Sequence, residues 1–361
     1  MPESFFPCSS CGADLAFQPG TTSLTCVHCG ATTRIDGSAE AVEEEDFHAA
    51  LNEASRGEAM VDVIEVPCPT CGARAQLGPN VTAEACPYCG SSVVAQGRSV
   101  KVFRPKSLLP FHVDRKGAEG CYEKWLSSLW FAPSNLRKVA YLDAKLSGVY
   151  LPHWTYDCTA ITKYTGKKGI DYYTTETYTA MVNGRPTTRT RTVKKTRWYP
   201  ASGTVRDDFD DVLIPATTSL PKDRLIALEP WDLKALVPYT DAYLAGFRAE
   251  SYAVPLDVGF EHATVRMRPM IERTIRADIG GDHQIITSMK PAYRDITFKH
   301  LLLPVWLTAY RYHGKTYHIM INARTGEVGG ERPYSAWKIV LVVLGVLALA
   351  GIVALIVSQA R

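Results

Sequence analysis

The sequence predicts an α+β protein: two small amino-terminal β zinc ribbons, a duplicated α+β body and a C-terminal transmembrane helix. Three observations predict it. Four Cys-x-x-Cys pairs lie within the first 89 residues, paired segments recur within residues 98–335, and an uncharged apolar run stands near the carboxyl end. On these the 361 residues divide into ribbon 1 (1–36), an acidic linker (37–63), ribbon 2 (64–97), the body (98–335) and an anchor (336–361), in keeping with two or three units for this length.

The ribbons rest on spacing. The first has knuckles Cys8-Ser-Ser-Cys11-Gly12 and Cys26-Val-His-Cys29-Gly30, and the second Cys68-Pro-Thr-Cys71-Gly72 and Cys86-Pro-Tyr-Cys89-Gly90. Fourteen residues separate the inner cysteines of each, and the pattern recurs at an offset of 60, which marks an internal repeat. A Cys-x-x-Cys-Gly knuckle supplies two thiolates from one tight turn, and its glycine lets the chain fold back under the metal. Four cysteines leave no open position, so the expected cofactor is two structural Zn2+. One is held by Cys8, Cys11, Cys26 and Cys29, the other by Cys68, Cys71, Cys86 and Cys89. Iron, as in rubredoxin-like proteins, and a redox dithiol are weaker alternatives. Each ribbon is too small for a useful core, so metal binding supplies its folding energy. The amino terminus lacks a basic segment followed by an apolar run, so a secretory signal is not expected. In a reducing compartment such cysteine pairs are metal ligands rather than disulfides.

The net charge of +3 averages two unlike regions. Residues 1–97 hold 13 Asp/Glu against Arg34, Arg56 and Arg74, a net of −10, whereas residues 98–361 carry +13. Nucleic-acid binding draws on Lys and Arg that neutralise phosphates. The acidic ribbons are therefore read as recruiting proteins, and nucleic acid is disfavoured as their partner. Residues 39–56, with Glu43-Glu44-Glu45-Asp46, are read as a short solvated helix.

Within the body, Leu109-Pro110-Phe111 is echoed by Val237-Pro238-Tyr239. Each precedes a helical pattern: Ala118, Tyr122, Trp125, Leu126 and Leu129 after a capping Asp114, then Tyr243, Leu244, Phe247 and Tyr252 after Asp241. Each half later reaches a strand-like Leu-Pro-x-Trp, Leu151-Pro152-His153-Trp154 and Leu303-Pro304-Val305-Trp306. Residues 172–199 alternate and are broken by Asn183-Gly184, the dipeptide of a type I′ turn, which predicts a long hairpin. Its return strand carries Arg185, Arg189, Arg191, Lys194, Lys195 and Arg197; alternation places the odd-numbered residues on one face. That face is a candidate for anionic lipid or nucleic acid, with a plainly solvated face as the alternative. Beside an anionic leaflet each basic residue contributes about 1 kcal/mol.

Residues 339–357 (IVLVVLGVLALAGIVALIV) are 19 residues without a charge. As a helix they span about 28 Å, close to the ~30 Å hydrocarbon core. Trp337 and Lys338 stand at the start as interface anchors. A core helix usually keeps a polar face, and this run has none. The expectation is a single-pass C-terminal tail anchor, with the bulk of the chain cytosolic.

Signals for catalysis are weak. His153, Asp157 and Cys158 form a loose cluster, but a hydrogen-bonded structural histidine is the more common role. Cys121 and Cys158 are expected to be packed. Ala309-Tyr-Arg-Tyr-His-Gly314-Lys315-Thr316 fits a relaxed phosphate-loop pattern, yet its bulky interior and the strand-like residues after it read as a hairpin turn. Ile279-Gly280-Gly281-Asp282 reads as a turn, and the Asn80-Val-Thr82 sequon has no meaning in the cytosol.

With these motifs in place, the chain resembles a family of bacterial TFIIB-type zinc-ribbon-containing membrane proteins, often labelled primosomal protein N′ (replication factor Y) or superfamily II helicase. The resemblance rests on the knuckles, Trp130-Phe-Ala-Pro133, Gly148-Val-Tyr-Leu-Pro-His-Trp-Thr-Tyr-Asp157, Tyr164-Thr-Gly166 and Arg197-Trp-Tyr-Pro-Ala-Ser-Gly203. It continues through Phe209-Asp-Asp211, Leu303-Pro-Val-Trp306, Gly314-Lys-Thr-Tyr317 and the run from Asn322 to Pro333. It implies an accessory factor of membrane-stress or flotillin-like assemblies, anchored in a bacterial inner (cytoplasmic) membrane. The helicase label has no support in the residues, because a nucleotide-binding core does not fit beside the ribbons. The function expected is a tail-anchored, cytosol-facing adaptor or scaffold without enzymatic activity. A nucleic-acid-binding, primosome-like accessory protein without helicase activity is the runner-up, and an enzyme using His153 and Asp157 is third.

Overall fold

The computed structural model describes residues 6–36, 42–56, 60–70, 73–76, 83–86, 88, 91–94, 98–103, 105–136, 140, 146–182 and 185–359. Cys71, Cys89, the sequon at 80–82 and the turn Asn183-Gly184 lie outside them.

The body consists of two β-α-β-β units. The first is β1 (Ser107–Leu108), α1 (Arg115–Ser128), β2 (Ser147–Val182) and β3 (Arg185–Pro215). The second is β4 (Arg248–Ala249), α2 (Leu256–Ile279), β5 (His283–Tyr312) and β6 (Lys315–Asn322). β2 and β5 run antiparallel side by side, with Leu151 opposite Leu303, so the two Leu-Pro-x-Trp segments meet about an approximate two-fold axis.

Hydrogen bonds repeat across this axis. The Trp154 indole donates to the Val254 carbonyl at 3.0 Å, and the Trp306 indole to the Val113 carbonyl at 2.9 Å. Ala216 and Ala323, each just past a hairpin, donate to the carbonyls of Pro152 and Pro304 at 2.9 and 3.0 Å. Rings match too: Tyr252 packs on Trp154 at 4.5 Å and Phe111 on Trp306 at 5.2 Å.

The units interlock. β1 pairs in parallel with β5, and β4 with β2. Ala118, Tyr122 and Leu126 of α1 share a core with Tyr310, Ile319 and Ile321 of the second hairpin. Ala263, Met267, Ile271 and Ile275 of α2 line up one turn apart against Trp154, Tyr156, Val205 and Phe209 of the first. Each unit supplies the helix that covers the other's hairpin, so neither buries its apolar face alone.

The second-half counterparts of β1 and α1 are thus β4 and α2. The Leu-Pro-Phe echo pointed instead to 237–252. There, Val237–Pro238 pairs antiparallel with β1 itself, and Asp241–Leu244 is only a single 3-10 turn. Tyr243 and Phe247 face ribbon 1, with Phe17 at 5.1 and 6.3 Å, and Gly246 leaves the helical region at φ 84°. Their i, i+4 spacing reflects a shared neighbour, not a shared helix.

Gly259 lets α2 lie close to β2. A Cβ there would stand 2.2 Å from the Tyr156 hydroxyl and 2.8 Å from Trp154 Cδ1. Both rings are held by hydrogen bonds at the entry to α2, Trp154 to the Val254 carbonyl just before it and Tyr156 to the Leu256 carbonyl at 2.7 Å. Gly259→Ala is expected to lower stability by about 1–3 kcal/mol, outweighing the ~1 kcal/mol that alanine gains in helix propensity. The denaturant midpoint measures it.

Both ribbons are seated on the body. In ribbon 1, Leu15–Phe17, Ser23–Cys26 and Thr32–Arg34 form an antiparallel sheet. The Phe17 amide donates to the Ala245 carbonyl at 2.9 Å, and Gly20 to Phe111 at 2.9 Å. In the second ribbon, Met60–Pro67 pairs with Arg74–Gln76 and Arg98–Phe103, so its sheet extends past residues 64–97 on both sides. Buried Val66, Cys68, Ala73, Cys86 and Tyr88 pack with Val149, Leu151 and Leu220, and the Tyr88 hydroxyl donates to Glu250 at 2.8 Å.

The linker does hold a short helix, but it begins only at Phe47 and is not fully solvated. Glu45–Asp46 forms a short strand on β5, and the helix Phe47–Arg56 buries Phe47 and Ala50. Asp46 caps it by accepting from the Ala49 amide at 2.7 Å. The apolar anchor is Phe47, whose ring lies 5.1 Å from Phe260 and 6.3 Å from Tyr156.

The carboxyl end is one helix, Ala336–Gln359, long and apolar enough to cross a membrane. Its 24 residues span about 36 Å, and its apolar side chains are exposed all round.

Candidate functional site

The four cysteines of ribbon 1 converge. Cys8 Sγ lies 3.5 Å from Cys29 Sγ, and Cys11 Sγ lies 3.5 Å from Cys26 Sγ. A tetrahedron with Zn–S bonds of ~2.3 Å has edges of about 3.8 Å, and the sulfurs fall within 3.5–3.9 Å of one another. The set can hold a metal ion. Each knuckle is built alike: the amides of Gly12 and Gly30, at φ 73° and 75°, donate to the carbonyls of Cys8 and Cys26 at 2.8 and 3.0 Å. Amides also favour thiolate. Those of Ser10 and Cys11 pull Cys8 down to about 6, and those of Cys29 and His28 lower Cys26. Cys11 goes the other way, to about 12, although the Ala13 amide lowers it; Cys29 and Cys26 prevail. Four sulfurs this close cannot all ionise without a cation among them.

In ribbon 2, the Cys68 amide donates to the Ala73 carbonyl and the Cys86 amide to Ser91, both at 2.8 Å. Cys8 to Ala13 and Cys26 to Ala31 form the same bond at the same length. Cys68 and Cys86 are buried, as Cys8 and Cys26 are; Cys71 and Cys89 lie outside the described residues.

A second charged cluster, not expected from sequence, lies where β2 passes Asp157. Both neighbouring strands bulge at this level, and Asp211 and Asp295 take φ of 52° and 51°. Bulges of this kind re-aim side chains. Lys299 is nearly buried, with its ammonium 2.8 Å from Asp211, 2.9 Å from Glu44 and 3.5 Å from Asp157. Asp157 also accepts from the Asp211 amide, and Thr297 donates to Glu44 at 2.7 Å. Burial raises Asp157 to about 7, with Glu44 adding to the rise. Burial opposes ionisation of Glu44 too, but Lys299, Thr297 and Asp157 hold it down at about 2. Glu44, Asp157 and Asp210 have the spacing of a cation site, yet the Lys299 ammonium already supplies the positive charge. The cluster is a clasp. With Lys106 at 2.5 Å from Glu45, it fastens the acidic linker to the body.

The cationic hairpin extends far beyond the rest of the sheet. β5 accompanies β2 only as far as Gly169 opposite His283; beyond that, Ile170↔Arg197 through Val182↔Arg185 pair only with each other. These thirteen pairs make a two-stranded arm of about 44 Å. One face carries Arg185, Arg189, Arg191, Lys195 and Arg197 with Tyr172 and Tyr178. Arg191 lies 5.6 Å over Tyr178 and Arg197 5.1 Å over Tyr172, and Glu176 bridges Arg191 and Lys195 at 3.3 and 2.8 Å. Lys194 belongs to the opposite face, where it pairs with Asp171 at 2.6 Å. That face is mostly threonine, with Thr175, Thr177 and Thr179 opposite Thr192, Thr190 and Thr188.

His153 and Asp157 are not brought together. His153 is fully buried, its Nδ1 lies 3.0 Å from the Leu151 carbonyl, and burial lowers it to about 4. Asp157 turns to Asp211 and Lys299. Cys158 packs 3.8 Å from the Met267 sulfur, and Cys121 is half-buried. His313 and Gly314, at φ 50° and 78°, turn β5 into β6, and Gly280 caps α2.

Comparison with known proteins adds one relative. An uncharacterized protein of Bacillus subtilis (strain 168), YdjG, is 24% identical over 345 residues, covering 92% of this chain and 91% of the relative. No family model and no solved structure matches the chain.

Proposed function

We propose that this chain is a membrane-attached adaptor whose metal-stabilised ribbons brace the body and whose cationic arm engages an acidic partner protein in the cytosol. The observation that carries this is the arm: thirteen strand pairs beyond the last neighbouring strand, with five basic residues and two tyrosines on one face. The docked ribbons and the clasped linker shift the recruiting surface from the acidic amino-terminal third to the arm.

Topology bears on the partner. The Tyr312 end of β5 lies against the segments that lead to the helix Ala336–Gln359: the Tyr310 hydroxyl donates to the carbonyl of Glu331, before the helix, and Tyr312 donates to Asn135. Because β2 and β5 are antiparallel, that end lies opposite the arm. Measured along the strands, the arm's base is up to roughly 90 Å away. The helix therefore does not itself hold the arm against headgroups, and an acidic protein is the partner we favour over lipid. Nucleic acid stays as a second reading, because a two-stranded ribbon with arginines on one face suits a major groove.

Full-length protein purified from detergent-solubilised membranes is the test, beside a variant with Arg185, Arg189, Arg191, Lys195 and Arg197 changed to Gln. The expected result is a partner protein recovered at least about tenfold less with the variant, at moderate salt and regardless of nuclease. Recovery abolished by nuclease would favour the second reading. Equal recovery with both proteins would remove the arm from the function.

A further inference from the structure

Residues 129–133 are folded in an unexpected way for a water-facing loop. Leu129 and Ala132 are buried, at 6% and 4% exposure, while Trp130 between them is 66% exposed. The loop is tightly fixed. Trp130 donates its amide to Ser128 at 2.9 Å, Ala132 donates to Leu129 at 3.1 Å, and the Phe131 ring meets Trp130 edge-on at 5.1 Å. Such a loop could turn a small polar residue outward, yet it presents an indole.

Its neighbour explains the choice. The Ser335 amide donates to the Phe131 carbonyl at 2.8 Å, and the Lys338 ammonium donates to the carbonyls of Trp130 and Ala132 at 3.0 and 2.8 Å. The loop is therefore bonded to the first turn of the helix Ala336–Gln359, one residue before the uncharged run begins at Ile339. Tyr334 and Trp337 in the same place are 60% and 69% exposed, and Arg332 sits 5.3 Å over Tyr334. Three large amphipathic rings and two cations are gathered where an apolar segment starts. Trp and Tyr favour the boundary between headgroups and acyl chains, where the ring is sheltered and its polar edge stays wet.

We propose that the loop 130–132 is a second membrane contact: Trp130 joins Tyr334 and Trp337 in an aromatic collar at the headgroup level of a phospholipid bilayer, seating the body on the surface. This rests on the helix being a membrane span. The collar adds a contact from a segment 206 to 208 residues away in sequence, and the Lys338 bonds limit tilting of the body against the helix.

Full-length protein in phosphatidylcholine vesicles with brominated acyl chains tests it through quenching of tryptophan fluorescence. Trp130→Phe and Trp337→Phe are each expected to remove roughly half of the quenched emission, since both rings lie in the belt. Exposed Trp130 does not hold the fold together, so the first variant keeps its structure. If Trp130→Phe leaves the quenched emission unchanged while Trp337→Phe removes it, the collar is wrong and the span stands. If no emission is quenched in the wild-type protein, the span fails and the collar with it.

Discussion

Lys299→Met is expected to destabilise the protein by about 3–5 kcal/mol, because it removes one ammonium and leaves Asp157, Asp211 and Glu44 facing one another. Met matches the lysine stem, so the loss comes from charge rather than from a cavity. Lys299→Arg keeps the charge in a different shape and should cost less. The sign of the pH dependence follows from the carboxylates. Asp157 already sits near 7, above its ordinary range; a raised carboxylate withdraws stability as pH rises through its folded value. Without Lys299 the group is raised further, so the deficit should be larger at pH 8 than at pH 5, where Asp157 can take up a proton. Glu44 behaves oppositely. Held near 2, it supports the fold above its ordinary range and withdraws that support as pH falls towards 2. Urea unfolding of both proteins in detergent at the two pH values measures the difference. Faster amide exchange at residues 45–49 would show that the linker has come loose. An unchanged midpoint at pH 8 would mean that the clasp carries no stability.

Removing metal should unfold ribbon 1 and leave the body folded. Its three strands hold three, four and three residues, far too little to persist unaided, whereas structural zinc in small domains contributes about 10–16 kcal/mol at neutral pH. Chelation, or Cys26→Ser, should raise hydrogen exchange across 6–36 and release Phe17 from Tyr243 and Phe247. Trp154 and Trp306 should stay protected in the interlocked units. Bound metal should also be lost in mildly acidic buffer, because protons compete for the thiolates. Exchange in ribbon 1 that is indifferent to chelators would rule out a structural metal there. Elemental analysis of the full chain reads the number and kind of ions, for which two zinc are expected.

The parts legible in the sequence are those set by local chemistry. Knuckle spacing places two thiolates on each tight turn, so the convergence of Cys8, Cys11, Cys26 and Cys29 follows from four short-range facts. Alternation around 172–199 foretold a hairpin with most of its cations on one face. The charge-free run at 339–357 foretold an exposed apolar helix. Pairing across distance was much less legible. The Leu-Pro-Phe echo misaligned the second half because burial against ribbon 1 at Tyr243 and Phe247 mimics a helix face. The true counterpart of α1 begins after Pro255, seven residues beyond β4, just as α1 begins seven residues beyond β1. The acidic linker was read as solvated because its charges outnumber Phe47, yet the cations that neutralise it, Lys106 and Lys299, lie 61 residues beyond Glu45 and 255 beyond Glu44.

Sequence alone pointed to Cys8, Cys11, Cys26 and Cys29 as a set that can bind metal, to the cationic strand and to the segment apolar enough for a membrane, since each depends mainly on neighbours within a turn or one strand. Tertiary structure alone decided that the units exchange helices, that both ribbons are braced against the body, that Lys299 gathers three carboxylates and that the loop carrying Trp130 is bonded to Ser335 and Lys338. Those outcomes depend on which distant surfaces close over one another. A charge or an indole does not carry that information until the chain around it has folded.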